Sequence, residues 1–194
     1  MQNERDASPP PTEAALHEVA VGYLARYSAT RATLARMLNK RIDRWAHASG
    51  DAEAAEQAAA AKRAVRDVVA RLAASGAVDD ATFAQARSRR LTRTGHSRRA
   101  TAAHLASHGV PAEIVAEALP YDAAGEMEAA VAYARRRRFG PFHTLTAATE
   151  EAPERHRHEL AALARAGFGR EAAERALAMT PDEAETVLVR LRQT

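Results

Sequence analysis

The sequence predicts an all-α chain of tandem three-helix repeats, about nine helices plus a C-terminal one, and three observations carry that reading. Nearly every segment beyond residue 13 shows apolar residues at helical spacing, while the period-two alternation of a strand is missing. A short phrase, L-x-x-x-G followed by an apolar residue, is written at Leu105–Val110 and again 58 positions on (163 − 105) at Leu163–Phe168. A looser copy stands at Leu72–Ala77. In each copy a helix can end at a glycine that takes the left-handed conformation without a Cβ penalty, and the next residue folds back on the helix just finished. Third, residues that start helices recur between these stops. A unit repeated this way builds a modular surface by stacking helices, not one concave catalytic pocket.

Taken in order, the first helix is expected from about residue 14 to 27, with Leu16, Val19, Ala20, Tyr23 and Leu24 on one face. Ser28 can cap a second helix carrying Leu34, Met37, Leu38 and Ile42. Asp51 can cap a long third helix that buries Val65, Val68, Val69 and Leu72 and stops at Gly76. Asp79 starts a fourth with Phe83 and Leu91, ending near Gly95, and Ser97 caps a fifth that ends at Gly109. Pro111, a natural first-turn residue, opens a sixth with Ile114, Val115 and Leu119 inward, and Pro120 closes it. A seventh covers about 123–138, before a loop at Gly140-Pro141; an eighth covers about 153–166 and a ninth about 170–178. Thr180-Pro181-Asp182-Glu183 reads as a capping box for a tenth, with Val187, Leu188 and Leu191 apolar. Grouped in threes, these give repeats over 14–78, 79–120 and 121–194, the last with the extra helix. They are expected to form an elongated, curved rod. Residues 1–13, with Pro9-Pro10-Pro11 and few apolar groups, read as a disordered tail.

Composition narrows the function. The chain is 46% hydrophobic, but much of that is alanine and aromatics are only 5%, so a thin core spread along the chain is expected. Cysteine is absent, which excludes disulfides, thiol catalysis and cysteine-ligated zinc and fits a reducing cytoplasm. No run reaches the length of a membrane span and residues 1–13 lack the apolar core of a signal peptide, so a cytoplasmic protein without a membrane partner is expected.

Net charge is +3, and apart from Lys40 and Lys62 every cation is an arginine. No acidic residue occurs from Ala81 to Ala112, where Arg87, Arg89, Arg90, Arg93, Arg98 and Arg99 fall. A second acid-free stretch, Ala129–Thr149, holds Arg135, Arg136, Arg137 and Arg138. Arginine forks match phosphate and carboxylate, and Ser97-Arg98-Arg99 sets cations beside the free N–H groups of a helix start. These ten arginines are the candidate binding residues. The competing description is a solvated helix face whose arginine stems cover small alanines. Four consecutive arginines point all round a helix, so at least one of the second group must serve packing or helix-end charge.

Other chemistry is poorly represented. His104 and His108 share a helical face, but no cysteine or nearby carboxylate completes a metal set, and His156 and His158 would diverge. Asp79-Asp80 reads as a helix start rather than an acid–base pair, and Glu150-Glu151 is the other paired acid. No nucleophile elbow or glycine-rich phosphate loop is written, so no catalytic residue, cofactor or metal is expected. The aromatics, Phe168 above all, are spaced as core; stacking of bases on Phe139 or Phe142 is the less favoured reading. Ser97–Leu119 also fits the helix-turn-helix of a DNA-binding transcription regulator. Its second helix, however, carries Glu113 and Glu117 and no arginine, lysine, asparagine or glutamine, so it is poorly equipped to approach DNA.

Several pieces taken together carry a resemblance. Tyr23-Leu24-Ala25-Arg26-Tyr27-Ser28 followed by Leu34-Ala35-Arg36-Met37-Leu38, then Gly76-Ala77-Val78-Asp79-Asp80-Ala81-Thr82-Phe83-Ala84, then Arg98 through Leu119, resemble the bacterial regulatory protein family RecX in order and spacing. The resemblance covers roughly residues 16–178. It departs at His108, where the family commonly has a basic residue, and the N-terminal tail and tenth helix extend past it. It implies tandem three-helix repeats that bind the RecA recombinase filament on DNA and inhibit its ATPase, strand exchange and coprotease activities, within DNA repair and the SOS response. It also implies single- and double-stranded DNA as partners, bound weakly in isolation, and the chain is expected to be a monomer.

Overall fold

The computed structural model describes residues 9–50, 52–120, 122–143 and 152–193. The expected cap Asp51, the aromatic Tyr121, the acid pair Glu150-Glu151 and residues 1–8 of the expected tail lie outside the described residues. Among those described the chain is all-helical: α1 (Glu13–Leu24), α2 (Arg31–Ser49), α3 (Ala52–Ala74), α4 (Asp80–Arg93), α5 (Arg98–Ser107), α6 (Ala112–Ala118), α7 (Ala123–Arg137), α8 (Ala152–Arg165), α9 (Arg170–Ala178) and α10 (Pro181–Gln193). A 3-10 turn, Gly140–Phe142, follows α7.

Local chemistry sets most of the starts. Asp79 accepts the Ala81 and Thr82 N–H groups at 2.8 and 3.2 Å, and Asp122 accepts that of Ala124 at 3.0 Å. At α10 the exchange is reciprocal: the Thr180 N–H reaches Glu183 Oε2 at 2.8 Å while the Glu183 N–H returns to Thr180 Oγ1 at 3.3 Å. Two expectations need correction. α1 is capped by Thr12 and stops at Leu24 instead of running to Tyr27. The cap of α2 is Thr30, in an extended conformation with φ −84° and ψ 161°, and not Ser28. Ser28 is exposed, whereas Thr30 is fully buried and its hydroxyl serves two partners at once, the Thr33 N–H at 3.0 Å and the His108 carbonyl at 2.6 Å.

The helix stops fall where the repeated phrase puts them. Gly76, Gly95, Gly109 and Gly167 all have φ between 75° and 93°. After α8 the Phe168 N–H closes on the Leu163 carbonyl at 3.1 Å, and Phe168 is buried as expected. After α4 the His96 N–H closes on Leu91 at 3.0 Å, so Leu91–His96 is a further copy of the phrase, with histidine in the apolar place. Gly95 is needed there twice over. Its φ is +77°, and a Cβ would lie 2.5 Å from the Tyr133 nitrogen on α7.

The helices pack as two compact units. The first reaches Phe83 and takes in His108–Val110; the second holds Ala84–Ser107 and everything from Pro111 onward. In the first unit Leu16 and Ala20 of α1 meet Leu34, Leu38 and Ile42 of α2 and the valines of α3, all nearly or wholly shielded from solvent. In the second, α7 buries Ala129–Ala132 and Ala134, with Leu163, Phe168 and Leu177 supplying bulk. α10 joins that core through Ala184, Val187, Leu188 and Leu191, the i, i+3, i+4, i+7 stripe of an amphipathic helix. The core is thin, as the alanine content implies.

One joint is built twice. At the start of α2, Thr30 bonds the carbonyl of His108, and the next N–H, of Arg31, is taken by the Asp80 carboxylate at 2.9 Å. At the start of α5, Ser97 donates to the carbonyl of Ala166 at 2.7 Å while accepting the Ala100 N–H at 3.1 Å, and the Arg98 N–H is taken by Glu126 at 2.9 Å. His108 and Ala166 each precede the glycine of an L-x-x-x-G phrase. In each joint the N–H groups at one helix start face the carbonyls of another helix end, where partial charges of opposite sign attract. Thr30 and Ser97 are wholly buried and Asp80 nearly so.

Candidate functional site

α4 turns Ala84, Ser88 and Leu91 inward, which leaves Arg89, Arg90 and Arg93 on the solvent side. Arg87 lies between the two faces and donates through Nε to His104 Nε2 of α5 at 2.9 Å. Arg98 is engaged in the joint by its N–H, and its Nε also holds the Leu119 carbonyl at the end of α6, at 2.9 Å. Arg99 stays exposed beside Gly167.

The run at the end of α7 divides by role. Arg135 faces Glu185 at 3.7 Å, with both side chains about half exposed, an ion pair worth well under about 1 kcal/mol. Arg136 donates Nη1–H to the Thr94 carbonyl at 2.7 Å and lies over the Tyr133 ring, 5.4 Å from its centre. Arg137 covers Phe139 at 5.7 Å. Arg138 closes the helix in the left-handed conformation, φ 59°, the place glycine takes at other ends. Phe139 in turn meets Tyr133 edge-on at 6.3 Å and is half-buried. These residues are packed together, not splayed for stacking.

The structure brings part of the two arginine groups to one place. Arg93 and Thr94 at the end of α4, Ala132, Arg135 and Arg136 on α7, and Leu188, Leu191 and Arg192 on α10 line a groove of about 490 Å³. Four of its lining residues are arginines and none is a carboxylate. Arg192 escaped the sequence reading because α10 holds it apart from the acid-free stretches. The available signal was its place one residue past Leu191, at the end of the apolar stripe. Arg93 and Leu191 also line a neighbouring hollow with Arg89 and Arg98, where Asp122, Glu126 and Glu128 balance the charge. Arg98 and Arg99 face a third, mixed hollow with Arg170, Arg175 and three carboxylates. Arg87, Arg90, Arg137 and Arg138 line none of these. In the first unit Arg31, Lys62 and Arg66 rim a further groove between α2 and α3 that sequence spacing did not single out.

The fold and these surfaces define a protein of tandem helical repeats with a cationic groove at the converging ends of three helices. Residues 79–119 match the family model described as the second three-helix domain of RecX. The chain is 39% identical over 156 residues to the regulatory protein RecX of Myxococcus xanthus (strain DK1622), covering 79% of each. It is 37% identical over 112 residues to the regulatory protein RecX of Agrobacterium fabrum, covering 58% of each. The crystal structure of RecX from Lactobacillus salivarius superposes with a TM-score of 0.58 over 94% of this chain and 97% of that one, at 14% identity, a likeness of fold. The chain belongs to the RecX family of regulatory proteins.

Proposed function

We propose that this protein regulates the RecA recombinase by binding the RecA–DNA filament and lowering its ATPase, strand-exchange and coprotease activities. Membership of the RecX family carries the reading. The groove of Arg93, Arg135, Arg136 and Arg192 supports it, because a filament on DNA offers phosphate and acidic protein surface together. The protein acts by occupying a surface and contributes no catalytic group, cofactor or metal. A ligand that bridges neighbouring filament protomers gains leverage over extension and ATP turnover. It works as a cytoplasmic monomer, through repeats at 14–78, 79–120 and 121–194, and holds free single- or double-stranded DNA weakly.

The competing transcription-regulator reading gains nothing from α6. That helix is seven residues long, and its exposed residues include Glu113 and Glu117, which repel phosphate. The deciding experiment is single-strand-DNA-dependent ATP hydrolysis by the cognate RecA with this protein titrated in. Inhibition well below one molecule per RecA protomer is expected. Unchanged hydrolysis and unchanged filament lifetime at equimolar protein would overturn the reading, and a search for a preferred duplex sequence would follow.

A further inference from the structure

We propose that the groove where α4, α7 and α10 end is the phosphate-contacting part of this surface, and that Arg93 and Arg192 hold a nucleic-acid backbone there, flanked by Arg135 and Arg136. The proposal rests on the regulatory reading above and adds Arg192, a residue of the last helix, to the binding machinery.

Each of the four arginines sits in or just past the last turn of a helix, where the ordinary task of a cation is to offset the exposed carbonyls. Arg136 performs that task, since its guanidinium is on the Thr94 carbonyl. Arg135 has Glu185 at 3.7 Å, half-exposed, a contact that water and salt weaken and a phosphate can replace. Arg93 and Arg192 are different. Both are exposed, and neither makes a hydrogen bond or ion pair with any described residue, so each keeps its full fork of donors for a ligand.

The floor of the groove says which part of a nucleic acid it meets. Ala132, Leu188 and Leu191 are aliphatic, and no aromatic ring or amide side chain is among the lining residues. Bases find neither a stacking platform nor the paired donors and acceptors that read their edges. Guanidinium forks over an aliphatic floor suit a sugar–phosphate backbone, which is bound without regard to sequence. Arg89, one turn before Arg93 on the same face of α4, lies in the neighbouring hollow with Asp122, Glu126 and Glu128, whose carboxylates repel phosphate, so it stays outside the track.

The test uses the full chain and two labelled probes, an oligo-dT single strand and a duplex of mixed sequence, in fluorescence anisotropy across a salt series. The variant Arg93→Ala/Arg192→Ala is compared with Arg41→Ala/Arg63→Ala, which removes the same charge from exposed positions on α2 and α3. None of the four side chains is buried, so both variants keep the wild-type melting curve. The groove variant is expected to bind whichever probe the wild type prefers on the order of tenfold more weakly. Its log–log salt slope should be shallower by about 1.5 to 2, because two arginines no longer neutralise phosphates. The control variant keeps the wild-type slope. Which probe is preferred tells whether the backbone enters as a single strand or a duplex. An unchanged slope in the groove variant, or no wild-type binding to either probe at low salt, overturns the proposal. If the groove variant keeps both probes but no longer inhibits RecA, the groove meets acidic protein surface: this proposal falls and the regulatory reading stands. If the wild type leaves RecA untouched while the slope shifts as described, the regulatory reading falls and the phosphate groove stands.

Discussion

Single residues decide where this chain turns, and the glycines show two grades of necessity. Gly76 and Gly95 end helices with nearly the same φ, 75° and 77°, but a Cβ on Gly76 would meet nothing within 4 Å. A Cβ on Gly95 would run into the backbone of Ala132 and Tyr133. Gly76→Ala should therefore cost only the left-handed penalty, about 1 kcal/mol. Gly95→Ala must also push α7 away and should cost about 2–4 kcal/mol, read from urea unfolding midpoints at constant m-value. The conformational need is legible in the sequence, because L-x-x-x-G announces it. The steric need is not, since Tyr133 is 38 positions away (133 − 95) and only packing brings it there. Arg98 teaches the same lesson from the other side. Its side chain looks free in sequence, and in the fold its Nε closes the end of α6.

Helices are the level at which the sequence was most readable, and their caps explain why. Asp79, Ser97 and the Thr180–Glu183 box act through neighbours two or three residues away, so local spacing suffices to find them. Ser28 failed as a cap for the opposite reason: the choice between it and Thr30 is made by the His108 carbonyl, 78 residues distant (108 − 30). Two of these caps carry charge. The Thr82 hydroxyl and the Thr82 and Ala81 N–H groups hold the Asp79 carboxyl below its ordinary 3.8. The Thr180 N–H and hydroxyl hold Glu183 below 4.5. A lowered folded value means the unfolded chain binds protons more readily, so both groups stabilise the fold at neutral pH. That contribution fades as pH falls past the ordinary values and through the lowered ones. Far-UV circular dichroism with thermal melts should show it: wild type loses Tm below about pH 4.5, and Asp79→Ala, lower at pH 7, loses less over the same range. Equal losses in the two proteins would mean the Asp79 cap does not contribute.

For the molecule as a whole, the ordered phrases made the repeat architecture readable, while the groove stayed hidden because its arginines come from helices up to 99 residues apart (192 − 93). The twice-built joint was equally invisible, though each half of it is a plain residue type: one hydroxyl, one carboxylate, one helix end. Its weight can be measured. Thr30→Val and Ser97→Ala each remove a wholly buried cap. Ser97→Ala also strips the Ala166 carbonyl of its hydroxyl donor and should cost about 2–3 kcal/mol, whereas the His108 carbonyl keeps the Thr33 hydroxyl at 3.3 Å and Thr30→Val should cost about 1–2 kcal/mol, against about 1 kcal/mol for Thr180→Ala at an exposed cap. A loss at Ser97 no larger than at Thr180 would show that the Ala166 contact adds nothing. What the joint grips is main chain, apart from its own hydroxyl and carboxylate. Peptide groups are the same whatever side chains they bear, so a seam of this kind makes few demands on the letters written along the rest of each helix. Substitutions can accumulate on the outward faces while the seam keeps its geometry, leaving those faces open to be rewritten for new partners.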